Sequence, residues 1–158
     1  MKTNIKSYII SVLIALGVGG LSAFATRNSM DIYRDIITPP LSPPGILFPI
    51  VWTILFILMG ISAAMIYNDK GASDREKESA LFTYALSLAV NFFWSIIFFN
   101  MRAYLFAFIW LVLLLFLIVR TIMKYYKINP LAALLQIPYL LWVSFAGYLT
   151  LAIWILNM

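Results

Sequence analysis

The 158 residues are 64% hydrophobic and 16% aromatic, with mean hydropathy +0.98 and a formal charge of +5, a composition that leaves almost nothing for a soluble domain. Histidine and cysteine are both absent. That excludes zinc sites, disulfides, redox thiols, imidazole acid/base catalysis and the His or Cys axial ligands of haem iron, so no metal is expected and no cofactor is required.

The 11 basic and 6 acidic residues all fall outside five uncharged stretches, Ser7–Thr26, Ile36–Asn68, Ser79–Met101, Ala103–Val119 and Ile128–Met158. Each is long enough to cross a bilayer as a helix. The expected architecture is an all-α integral membrane protein, a five-transmembrane-helix bundle forming one domain over 1–158, with spans near 7–26, 46–67, 79–99, 103–123 and 130–156. The basic residues flank these spans, where they set topology, so lipid and not nucleic acid is the expected surrounding.

In span one, Lys2, Lys6, an apolar run and Ala23-Phe24-Ala25 imitate a secretory signal peptide. The run from Tyr8 to Ala25 exceeds the usual core of about 7 to 15 residues, so the segment is expected to stay as a span. Gly17, Gly19, Gly20 and Ala23 offer a small-residue face for close helix approach. The first connection, Arg27 to about Gly45, is long for so small a bundle and reads as a lid or binding loop, with a plain crossing of the bundle end as the alternative. A short interfacial helical turn is expected at Asp31 to Ile37, and Pro39-Pro40-Leu41-Ser42-Pro43-Pro44 stiffens the chain before span two.

The charged run from Asn68 to Glu78 reads as solvated surface. Spans three and four meet across Asn100-Met101-Arg102, which makes them an antiparallel hairpin, with Asn100 placed to cap the following helix. Asn129-Pro130 opens span five, and Pro138 should kink it. The N-terminus and the second and fourth connections hold Lys2, Lys6, Lys70, Arg75, Lys77, Arg120, Lys124 and Lys127, against Arg27, Arg34 and Arg102 on the other side. In a bacterial plasma membrane this bias puts the N-terminus in the cytoplasm and the first loop outside.

Three clusters pair flat aromatic faces with neutral hydrogen-bonding groups: Phe48 to Trp52, Asn91 to Ser95, and Gln136 to Ala146. Such a set suits a bilayer-embedded pocket for a flat, mostly apolar ligand. Trp142, Ala146 and Leu149 share one helical stripe, which suits a pocket wall and would serve plain packing equally well. Trp154 reads as an interfacial belt residue. Ala85 and Ala89 form a small-x-x-x-small seam open to a homodimer.

Gly19-Gly20, then Pro43-Pro44 and Trp52, Asn91 through Phe99, and Pro138-Tyr139-x-x-Trp142-x-x-Phe145-Ala146, in this order over five spans, resemble the TspO/MBR family of tryptophan-rich sensory and translocator proteins. The resemblance implies a commonly dimeric five-helix bundle that binds porphyrins such as protoporphyrin IX beneath its first loop. Carried over by position, Tyr33 and Pro43 would line the lid, Trp52 and Phe56 one wall, Asn91, Trp94 and Ser95 another, and Trp142, Ala146 and Leu149 the fifth-helix face. The propionates would stay near water, within reach of Arg27 or Arg34. Leu41, Trp110 and Thr150 depart from the family's frequent tryptophan, acidic residue and asparagine.

The leading expectation is therefore a membrane-embedded porphyrin-binding protein acting in tetrapyrrole sequestration, transport or sensing. One alternative is light-dependent porphyrin degradation, with Trp52 and Trp142 supplying electrons. Another is a ligand-responsive sensor or scaffold. No acid/base or nucleophilic catalytic site is expected.

Overall fold

The computed structural model describes residues 5–29 and 36–158. Among these residues six α-helices are formed: α1 (Ile5–Ala25), α2 (Leu47–Tyr67), α3 (Asp74–Ser95), α4 (Tyr104–Ile128), α5 (Pro130–Leu135) and α6 (Ile137–Asn157). A π-helical turn, Ile96–Asn100, prolongs α3, and α5 with α6 makes one crossing. Five crossings are thus long and apolar enough to span a membrane, and the protein is a multi-pass integral membrane bundle. Helices are the natural solution because lipid offers no partner to an unpaired backbone amide.

The helix bounds depart from expectation where charged residues take helical form. The third span starts at Asp74 and not at 79, because Ser73 and Glu76 form a capping box: Glu76 N donates to Ser73 Oγ at 3.1 Å and Ser73 N to Glu76 Oε1 at 2.9 Å. Part of the expected surface run is therefore helix. The fourth span continues to Ile128, and Lys124 Nζ donates to Ser79 Oγ (2.9 Å) and Thr83 Oγ1 (2.8 Å) on α3. Asn129 caps α5 as expected, accepting from Leu131 N at 3.0 Å. The break in the fifth crossing lies at Gln136, just before Pro138, since proline can neither donate to Leu134 O nor sit beside it without a clash.

Asn100 does not cap α4. Its amide instead joins helix ends across the bundle, accepting from Ser29 Oγ at 2.6 Å and donating to Ala25 O at 3.1 Å.

Around the bundle, α1 packs on α2 and α3, α3 on α4, α4 on α5 and α6, and α5 back on α2. Among the glycines, the one that meets a neighbouring backbone is Gly60 of α2, whereas on α1 Gly19 meets only the Phe56 ring. A Cβ at Gly60 would lie 2.5 Å from Val12 Cα, and Ser11 Oγ donates to Gly60 O at 2.7 Å. Gly17 and Gly20 have nothing within 4 Å of an added Cβ. Small residues let backbones meet in lipid, where dispersion replaces the hydrophobic drive, but only where a partner helix stands opposite.

Of the first connection, the described portion from Ile36 is tied to the end of α6. Ile37 N donates to Asn157 Oδ1 (2.8 Å) while Asn157 Nδ2 donates to Ile37 O (2.9 Å), and Tyr148 Oη donates to Pro40 O (2.7 Å). Leu41, exposed at the tip, takes φ 71°, a left-handed conformation that a leucine adopts at some cost. Most of the turn expected at Asp31 to Ile37, like Tyr33 and Arg34, lies outside the described residues.

Candidate functional site

The site originates in a divergence. At the end of the bundle opposite the lid, α2 is bolted to α5: Ser62 Oγ donates to Ala132 O at 2.7 Å, and Gln136 Nε2 donates to Ser62 Oγ at 3.3 Å. Toward the lid, the α2 and α6 backbones stand apart and aromatic side chains bridge part of the distance. The gap between them, closed by α1 and α3, is a cavity of about 620 Å³.

Helical spacing sets Phe48, Trp52 and Phe56 on one stripe of α2 facing this space. Trp52 stacks on Phe56 with centroids 5.5 Å apart, and Phe48 meets Trp142 edge-on at 5.8 Å. The α6 wall is the expected stripe of Trp142, Ala146 and Leu149, with Thr150 beside it. On α3, Asn91, Trp94 and Ser95 face inward, and the π turn swings Phe98 and Phe99 onto the same wall. Trp94 stacks on Phe98 at 5.1 Å. Trp110 Nε1 donates to Val90 O at 2.8 Å, fixing from behind the stretch that carries Asn91.

Polar chemistry in the cavity is sparse and neutral. Asn91 Nδ2 donates to Tyr139 Oη at 3.2 Å at one end of the cavity. Thr150 Oγ1 donates to Ala146 O at 2.7 Å, and Thr26 Oγ1 to Ser22 O at 2.9 Å, so both hydroxyls are satisfied within their own helices. Trp94 Nε1 is buried with no partner among the described residues. No charged side chain is found among the described lining residues, and no group of three His, Cys, Asp or Glu among them comes together to hold a metal.

Eight of the residues singled out from the sequence converge here: Trp52, Phe56, Asn91, Trp94, Ser95, Trp142, Ala146 and Leu149. Pro43 is half-buried in the lid and does not reach the cavity. Arg27 also points away: its Nη1 donates to Phe24 O at 2.6 Å and its guanidinium lies 3.8 Å above the Phe24 ring. Arg27 is thus held against its own helix end and is not among the residues lining the cavity. Trp154 stands outside the cavity, half-buried.

The α1 wall, to which Leu16, Gly19, Gly20, Ala23 and Thr26 contribute along with Val18 and Ser22, was not expected as a wall. The three- and four-residue spacing of the first five was the available signal. At Gly19 the Phe56 ring fills the place a Cβ would take, at 2.5 Å.

A five-crossing membrane bundle with an aromatic, uncharged chamber under a tethered loop defines the class. The TspO/MBR family model matches residues 10–155, and the chain belongs to that family. It is 38% identical to "Tryptophan-rich protein TspO" of Chlorobaculum tepidum over 94% of this chain and 92% of the relative. It is 35% identical to "Protein CrtK" of Rhodobacter capsulatus (79% and 78%) and 34% identical to "Translocator protein" of Bos taurus (91% and 85%).

Proposed function

We propose that this protein binds flat, largely apolar ligands of the porphyrin class, such as protoporphyrin IX, in the chamber between α1, α2, α3 and α6, for sequestration, transport or sensing of tetrapyrroles. One observation carries the reading: about 620 Å³ of space walled by the indoles of Trp52, Trp94 and Trp142 with neutral polar groups between them. That volume falls within the range of about 300–1,000 Å³ usual for small-molecule sites, and indole faces favour stacked rings. Without a cation in the described wall, the ligand's carboxylates are held at the mouth, where water reaches them.

Titration of protoporphyrin IX into the detergent-solubilised protein, followed by tryptophan quenching, tests this. Trp52→Ala with Trp142→Ala removes two stacking faces worth about 0.5–1.5 kcal/mol each, so affinity should fall by roughly ten- to a hundredfold. Unchanged affinity in the double variant removes the site.

Light-dependent breakdown of the bound porphyrin is a second reading, supported by the placement of Trp52 and Trp142 in the wall and by Tyr139 edge-on to Trp52 at 6.3 Å. If illumination of the complex produces only the bleaching seen without protein, that reading is eliminated. The reading further takes the bacterial plasma membrane as host, with the lid side outside, on the bias of Lys and Arg. It also takes a homodimer, for which Ala85 and Ala89 are exposed on α3.

A further inference from the structure

We propose that the chamber is loaded sideways, from the half of the bilayer on the lid side, through the seam between α1 and α2. The proposal rests on reading the chamber as a ligand site. Five of its wall residues are also exposed on the outside of the bundle: Gly20 and Ala23 on α1, Pro49 and Thr53 on α2, and Gly45 in the connection just ahead of α2. A residue that is both wall and outer surface marks an aperture. The opposite wall has none on α6, where Ala146, Leu149 and Thr150 are buried.

The outside at this level is apolar, as a lipid-facing surface requires. Leu21 and Phe24 on α1 and Ile50 and Ile54 on α2 flank the seam, each more than half exposed. Thr53 Oγ1 donates to Pro49 O at 2.7 Å, so its hydroxyl is satisfied within the helix, as a lipid-facing threonine requires. Room at the aperture is direct: a Cβ at Gly20 meets nothing within 4 Å, while at the neighbouring Gly19 the Phe56 ring already occupies the space. On the lid side the described strap is fastened to α6 by Asn157 and Tyr148 and Ser29 is bonded to Asn100, and the exposed wall residue there, Gly45, stands at the α2 end, near the seam residue Pro49 in the chain. A flat apolar molecule dissolved in the bilayer has no polar barrier to cross at the seam.

Because the chain has no cysteine, Ser95→Cys puts a single thiol on the α3 wall. In nanodiscs, this variant is treated with lipid-soluble pyrene maleimide or with a charged, sulfonated maleimide. Pyrene maleimide should react faster. Adding Gly20→Leu or Ala23→Leu should slow it about tenfold or more, equivalent to roughly 1.4 kcal/mol of added barrier. Gly17→Leu is the control: Gly17 is exposed with the same free space but is not part of the chamber wall, and it should change nothing. Thermal unfolding confirms that each variant is folded. Lateral loading is overturned if both blocking variants react like their parent, if the charged reagent reacts as fast as the pyrene one, or if neither reagent reaches the thiol. Failure of protoporphyrin IX to bind the wild type would instead count against the ligand reading and leave the labelling result standing.

Discussion

The two ends of α2 solve opposite problems. Near Gly60 and Ser62 the helix is drawn tightly to its neighbours, by backbone contact with Val12 on one flank and by hydrogen bonds to α5 on the other. Near Phe48 and Trp52 it stands off from α6, and aromatic side chains fill part of the distance. A chamber in a bundle therefore needs no special element. It needs helices pinned at one end and free to diverge at the other, and here the pins are small or polar residues while the walls are large and aromatic. Substitutions at the pinned end should cost stability, and those at the open end should cost binding.

The largest stability effect is expected at the pin itself. Gly60→Leu forces a side chain against Val12 Cα and N, at 2.5 and 2.8 Å from the first added atom, and neither is a side chain that can turn away. Overpacking typically costs about 1–3 kcal/mol, and more when backbone must move, so about 3 kcal/mol or loss of the folded bundle is expected in detergent unfolding. Wild-type stability would break the contrast between the two ends.

Ser62 comes next. Ser62→Ala removes the bond to Ala132 O and strands Gln136 Nε2 beside an Oε1 that already lacks a partner. Interhelical hydrogen bonds in membranes contribute about 0.6 to 2 kcal/mol, and stranding a buried donor adds to the loss. A drop of about 2 kcal/mol is expected. Adding Gln136→Leu should recover part of it, because the stranded amide is removed as well. A double variant less stable than Ser62→Ala alone would show that Gln136 stabilises the bundle through packing and not through its amide.

At the open end, Gly19→Ala sharpens the comparison. The added methyl lands on Phe56 Cε2, and a ring bordering empty space can swing aside. Stability should change by less than about 1 kcal/mol. The displaced ring would enter the chamber and disturb the Trp52 stack, so protoporphyrin affinity should fall about tenfold. Equal losses of stability and affinity would mean that this end is as tightly packed as the other.

These contrasts also explain what was legible in the chain. Five crossings and the Trp142–Ala146–Leu149 stripe follow from where charges are absent and from helical spacing, both local properties. The start of α3 at Asp74 was missed because its first turn is charged and exposed, although Ser73-x-x-Glu76 ahead of an apolar run is a capping-box signal readable in the sequence. Gly17, Gly20 and Gly60 are the same residue type in similar surroundings, and the difference between a contact and an opening lies in what stands opposite. The π turn at Ile96–Asn100 leaves no periodic trace in five residues that are mostly apolar. Asn157 and Ile37 are 120 positions apart, and nothing in either neighbourhood names the other.

The smallest effect is expected at that long-range pair. Asn157→Ala deletes both bonds to Ile37, on an exposed helix end where water can replace them, so the loss of global stability should be about 0.5–1 kcal/mol or less. The local consequence is larger than the global one, because the Ile37 amide loses its acceptor and, of the described hydrogen bonds from the strap to α6, the one from Tyr148 Oη to Pro40 O is left. Hydrogen exchange in nanodiscs should show faster exchange for the segment from Ile37 to Ser42, with α2 and α6 unchanged. If the chamber is filled through the α1–α2 seam, loosening the strap should leave the pyrene maleimide rate at Ser95→Cys where it was. A rate that rises in step with strap exchange would move the route to the lid.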